Sequence, residues 1–190
     1  MPYAGESAAL LTSACWALNS VCFTLAGRRV GSASVNLVRL LMAWALLAIL
    51  QLALFGSLFP IHAGSARIGW LGASGLIGFA LGDAVLFEAF LLIGARLSML
   101  LMTLSPLFSA LMAWIWLKQD LGPLKLLAMA ATLAGIAWVV WGDDGAESHP
   151  HLWRGVLLGI GGALGQAVGL QFSLYGLAGA SPPSPPTSSA

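Results

Sequence analysis

Two acidic side chains, Asp83 and Glu88, lie inside an otherwise apolar run at 68–93. A charge at mid-bilayer costs about 3 kcal/mol or more, so it is retained where a solute path, a proton relay or a polar partner uses it. Asp83 lies fifteen residues into the run, about 22 Å along a helix and past its centre. Glu88 stands nearer the exit. Five residues apart, the two point about 140° away from each other and form no carboxylate pair on one face. Each is a candidate for lining a solute or proton path. The plainer alternatives are an interfacial pair of Glu88 with Arg96 and a hydrogen bond from Asp83 to a neighbouring helix. Arg39, about one turn into another apolar run, either snorkels to the interface or pairs with an acid on another helix. Trp16 and Asn19 are three apart and share a helix face. Their indole N–H and amide serve a polar solute or an interhelical hydrogen bond.

Pro106, in Leu104-Ser105-Pro106-Leu107, interrupts a further apolar run. It removes a backbone hydrogen bond and crowds the carbonyl of Met102, so a kink is expected there. The hydroxyls of Thr103 and Ser105 are close enough in sequence to serve the freed carbonyl. No arrangement for catalysis accompanies these residues. The histidines, His62, His149 and His151, all fall in loops without metal-ligand spacing. No G-x-S-x-G, phosphate loop or buried histidine–carboxylate pair occurs. No catalytic residue, metal or cofactor is expected, and the reading is of a non-enzyme. Cys15 and Cys22, seven apart on one helix face and about 10 Å from each other, cannot form a disulfide within that helix. They read as small packing residues.

The elements that must position these groups are membrane helices. Of 190 residues 59% are hydrophobic and only 8% charged, with a mean hydropathy of +0.91. A soluble domain carries about 25% charged residues, so most of this surface must face lipid. The net charge of +1 and the lack of a long basic run argue against nucleic acid as a partner. A spanning helix needs about 20 apolar residues, and six stretches qualify: 8–26, 35–59, 68–93, 97–117, 124–141 and 152–177. Gly27-Arg28-Arg29, 60–67, Gly94-Ala95-Arg96, 118–123 and the polar segment 142–151 connect them. Connections this short make consecutive helices antiparallel neighbours. Trp70, Trp114, Trp116, Trp138, Trp141 and Trp153 all fall near proposed helix ends, at headgroup level. The fold expected is an all-α membrane protein of about six transmembrane helices, with the lipid bilayer as its first partner.

Glycines at 69, 72, 75, 78 and 82 in the third stretch predict a face for close helix contact. In the sixth, two rows, 155/159/162 and 161/165/169, predict the same. Residues 181–190, SPPSPPTSSA, have no hydrophobic period and read as a disordered tail.

Together these residues resemble one family, the EamA branch of the drug/metabolite transporter superfamily. The resemblance is carried by Trp16-x-x-Asn19, by Arg39 with the small and aliphatic run after it, and above all by 82–136. That segment holds the Ser-Pro pair and Gly135, with Gln119 where glutamate is usual. The resemblance implies two five-helix repeats of inverted topology. An offset of 147 pairs Leu10-Leu11 with Leu157-Leu158, Asn19 with Gln166 and Val21 with Val168. The division expected is an N-terminal tail at 1–7, a first repeat at 8–142, a polar loop at 143–151, the first helix of a second, incomplete repeat at 152–180, and the tail at 181–190. Relatives of this kind have ten helices, so the six-helix chain is expected to be a truncated product or a fragment lacking half of the pathway.

The resemblance implies a cell-membrane transporter that exports small metabolites or amphipathic compounds by alternating access, with Trp16, Asn19, Arg39, Asp83 and Glu88 along the path. The alternative is a transport-inactive six-helix protein acting through a homodimer or another membrane chain. An N-terminus on the inner side is also implied. The inner loops then hold Arg67, Lys118 and Lys125, against Arg28, Arg29, Arg96 and Arg154 outside, a count that leans the other way.

Overall fold

The computed structural model describes residues 3–57, 64–118, 121–141 and 151–178. Runs of leucine, alanine and methionine satisfy their backbone groups as helices, the conformation that a bilayer demands. Helix α1 spans Ala4–Val30 and α2 spans Ser32–Phe55. The turn expected at Gly27-Arg28-Arg29 is instead helical. The chain reverses at Gly31, whose φ of +86° a side chain would strain and whose N–H closes α1 on the Gly27 carbonyl at 2.8 Å. Gly56, at φ +67°, ends α2 with a similar bond to Leu52, short of the expected boundary at 59.

The third stretch is built from α3 (Ser65–Gly75), a π-helical stretch (Leu76–Gly82) and α4 (Asp83–Met102). Ser65–Met102 forms one apolar length of 38 residues, about 57 Å and nearly twice a bilayer core. Gly94 divides it, at φ 76° and ψ 166°. The expected tight connection at 94–96 therefore lies within α4. Helix α5 is Leu104–Leu117, α6 is Pro123–Trp141 and α7 is Leu152–Leu177. Five segments are long and apolar enough to cross a membrane, and the shorter Leu104–Trp116 adds to them. With the Gly94 break the described residues supply six apolar crossings.

The break beside Pro106 differs from expectation. Helix α4 stops at Met102 and α5 restarts at Leu104, so Pro106 is the third residue of a helix. Its missing N–H is one of the first four that have no acceptor in any helix, and a proline fits there. The Thr103 N–H and hydroxyl both donate to the Leu100 carbonyl, at 3.1 and 2.6 Å, rather than to Met102.

Helix α7 is the central packing element. It lies against α4, α3, the π-helical stretch and α5, while α1 and α2 pack on α4 and α6 makes the slightest contact. Its glycines explain how it gets close. A Cβ on Gly165 would stand 2.8 Å from the Gly82 Cα, and one on Gly169 would stand 2.8 Å from the Gly78 Cα. Gly155, Gly159 and Gly162 receive Ile93, Leu101 and Leu86 of α4. The five-glycine face expected in the third stretch is only partly used. The row facing α7 runs Leu71, Ser74, Gly78, Gly82, and none of the described residues approaches Gly69, Gly72 or Gly75. They lie on another side of the helix.

Cys15 and Cys22 also depart from expectation, lying exposed on the outward side of α1. The inward residues of that helix are Ser20, Thr24 and Gly27. Trp114, Trp116, Trp138 and Trp153 are exposed near helix ends, as interfacial anchors should be. The polar loop, apart from His151, and the proline-serine tail lie outside the described residues.

Candidate functional site: a buried ion pair joining three helices

Asp83 is the first residue after the π-helical stretch and is fully buried. Its Oδ2 is paired with Nη2 of Arg39 on α2, and its Oδ1 accepts from Nε2 of Gln166 on α7 at 2.7 Å. Helices α2, α4 and α7 thus meet on one carboxylate. The arginine is held in turn. Its Nη2 also donates to Oδ1 of Asn36 at 3.2 Å, one turn earlier on the same helix face. Asn36 Nδ2 donates to the Ala80 carbonyl inside the π-helical stretch at 3.1 Å. The guanidinium carbon stands 5.2 Å from the ring centre of Phe87, one turn beyond Asp83, a distance at which the ring quadrupole attracts the cation.

The backbone sets this geometry. A π-helical turn carries more residues than an α-turn, and such stretches occur often at functional sites. Here it ends at Gly82, and the side chain of the next residue reaches both α2 and α7. Glycines 78 and 82 let α7 come near enough for Gln166 to reach the carboxylate. A buried pair persists only when its remaining lone pairs and protons find partners. Both Asp83 oxygens do. Nε of Arg39 is buried with no partner among the described residues, so the arginine, 19% exposed, keeps a spare donor there.

Of the residues singled out by sequence, Arg39 and Asp83 come together. Glu88 does not join them. Its Oε2 accepts from the Ser32 hydroxyl, at the start of α2, at 2.6 Å. Among the described residues Arg39–Asp83 is the ion pair, so the Glu88–Arg96 pair is not formed. The chain reverses at Gly94 and leaves Arg96 exposed beyond it. Trp16 is half-buried and Asn19 exposed, and neither bonds to the network among the described residues. The packed face of α1 runs through Ser20, Phe23, Thr24 and Gly27, and Asn19 points off it. Pro106 lies apart, beside Leu107, Lys125 and Thr132 in a groove of about 240 Å³ between α5 and α6.

Gln166 and Asn36 are the members that sequence reasoning did not single out. Gln166 left a signal, as the amide matched with Asn19 at the offset of 147. Asn36 left a weaker one, three residues before Arg39.

A family model described as the EamA-like transporter family matches residues 3–141, which include Arg39, Asp83 and Asn36 but not Gln166. No curated protein and no solved structure matches the chain. A match over more than two thirds of the sequence, on a bundle of six apolar crossings, carries one conclusion: the chain belongs to the EamA-like transporter family.

Proposed function

We propose that the protein moves small metabolites or amphipathic compounds outward across the cell membrane by alternating access, driven by protons and without nucleotide hydrolysis. The observation that carries this reading is Asp83, fully buried and held by a cation and an amide from two other helices. Intramembrane acids with such partners are the usual elements of solute and proton pathways. Either of two events loosens the site. A proton on Asp83 removes the charge that holds Arg39, or a solute acceptor takes up the spare Nε–H donor. The proton also weakens the Gln166 hydrogen bond, the polar tie between α7 and the carboxylate, and α7 is then free to shift along its glycine contacts. The N-terminus lies on the inner side, with Trp16, Asn19 and Glu88 as further residues of the path.

The test is efflux of a panel of radiolabelled small neutral amides and polyols, amino acids and amphipathic cations from proteoliposomes carrying a proton gradient. Wild-type flux reduced at least tenfold by Asp83→Asn, with the protein still folded, is the expected result. Equal flux through the variant would remove Asp83 from the mechanism. A second reading has one observation in its favour. Helix α6 touches the bundle so slightly that most of its apolar surface, with Leu124, Leu127 and Trp138, is left bare. On that reading the chain transports nothing alone and works through a second copy or another membrane chain. Flux absent from the isolated chain but restored by a co-purifying subunit would favour it.

A further inference from the structure

A cleft of about 150 Å³ lies between the π-helical stretch and α7, lined by Ser74, Gly78, Phe79, Gln166, Gly169 and Ser173. We propose that it is the vestibule through which small, uncharged, hydrogen-bonding solutes and water approach Asp83 from the N-terminal face of the membrane, with Gln166 as its inner wall. The proposal deepens the transport reading above and rests on it for its purpose.

Position comes first. The sixth crossing returns the chain to the face on which α1 begins. Ser173 is four residues from Leu177, at the end of α7, and Gln166 is eleven, depths of about 6 and 17 Å. Ser74, on the opposite wall, donates its hydroxyl to the Gly169 carbonyl at 2.6 Å. The cleft thus carries polar groups from near the surface to mid-membrane. Its inner end is the Gln166 side chain, whose amide nitrogen is on Asp83. Gln166 therefore touches the cleft and the buried carboxylate at once. Toward the opposite face the chain is closed by packed apolar groups. Leu86, Phe87, Phe90 and Ile93 are each 2% exposed or less, and Phe87 and Phe90 stack with ring centres 5.5 Å apart.

Chemistry sets the class of solute. The cleft lining sets the Ser74 and Ser173 hydroxyls and the Gln166 amide beside the apolar Phe79 and Leu170, and holds no ionised side chain. Asp83 is covered and already paired with Arg39. A charged solute entering here would lose its hydration without gaining a counter-ion. A neutral solute loses only hydrogen bonds to water, which Ser173, Ser74 and the Gln166 carbonyl oxygen replace. At about 30 Å³ per water the volume matches roughly five waters, or a solute of a few heavy atoms.

Substituted-cysteine reactivity tests this without a flux assay. Cys15 and Cys22 are first replaced by serine, and Ser173→Cys and Ser74→Cys are made separately in the full chain. Each is treated with neutral hydroxyethyl, anionic sulfonatoethyl and cationic trimethylammonioethyl methanethiosulfonate, every rate being divided by that of the same reagent with a free thiol. The expected result is a normalised rate at Ser173→Cys at least tenfold higher for the neutral reagent than for either charged one. Ser74→Cys should show the same order, and Leu164→Cys, on the lipid side of α7, should stay silent. Comparable normalised rates for charged and neutral reagents would overturn the solute class. Silence toward all three reagents at both positions would overturn the vestibule, and if Asp83-dependent flux were then still measured the transport reading would stand without it. Selective labelling with no flux of any solute would uphold the cleft and remove the transport reading instead.

Discussion

Truncating Arg39 and neutralising Asp83 disturb the same ion pair unequally. Arg39→Ala leaves a fully buried carboxylate with only the Gln166 amide for company. Breaking a buried pair from one side destabilises by about 3–5 kcal/mol, because the other charge stays buried. Asp83→Asn leaves a cation that is 19% exposed and able to move its head group toward water, so its loss should be smaller. The double variant Arg39→Leu/Asp83→Leu removes both charges and should recover most of the Arg39→Ala loss. Unfolding of this double variant and of the single Arg39→Leu and Asp83→Leu variants in mixed micelles measures the coupling. A double variant as unstable as the two single losses added together would show that the pair contributes no coupling. At this scale Asp83, Glu88 and Arg39 were legible as intramembrane charges, since an ionised side chain in an apolar run needs a partner wherever it lies. The partner itself was not. Arg39 could snorkel or pair, and Glu88 could reach Arg96. The choice rested on the reversal at Gly94 and on where Ser32 begins α2, neither of which the charges record.

The close approach of α7 to the π-helical stretch yields two contrasts at the scale of elements. Gly169→Ala places a methyl 2.8 Å from the Gly78 Cα, backbone against backbone, and overpacking of this kind destabilises by about 1–3 kcal/mol. At Gly72 a methyl meets nothing within 4 Å, so Gly72→Ala should be neutral or gain up to about 1 kcal/mol from helix propensity. Thermal midpoints in detergent should separate the two variants in opposite directions. The second contrast concerns register. A π-helical stretch holds about one residue more than α-helical turns covering the same rotation. Deleting Leu81, inside it, should let Leu76–Gly82 relax to α-helix with both flanking segments in place. Deleting Ala89, inside α4, should rotate Leu91, Leu92 and Ile93 by about 100° away from Gly27 and Gly155. The folded yield of the first should exceed that of the second, and the reverse order would mean that the π-helical geometry is itself required for folding. Glycine spacing announced close packing correctly for α7 and for Gly78 and Gly82. It misassigned Gly69, Gly72 and Gly75, because spacing alone does not say which side of a helix another helix will cross.

At the scale of the whole molecule α7 holds the bundle together, although it lies outside the residues that the family model matches. It covers Asp83 and fills the space beside α3, α4 and α5. A variant ending at residue 141 should therefore expose the carboxylate and lose its protease-resistant core, as seen by limited proteolysis in micelles. A chain of that length as resistant as the full one would mean that α1–α6 fold without the central helix. The number of crossings, the connection at Gly94 and the identity of the intramembrane charges followed from composition and order alone. Each rests on a local requirement: an apolar run long enough for the bilayer, a glycine where the backbone reverses, a charge that needs a partner. What only the tertiary structure decided was which faces turn inward, and with that the meeting of Arg39, Asp83, Asn36 and Gln166. Lipid tails are as apolar as leucine, so a membrane helix carries little contrast between its lipid side and its packed side. The amphipathic pattern that marks the inner face of a soluble helix is therefore faint here. The inner faces are chosen by glycine contacts and by one carboxylate that has to be satisfied from three helices at once.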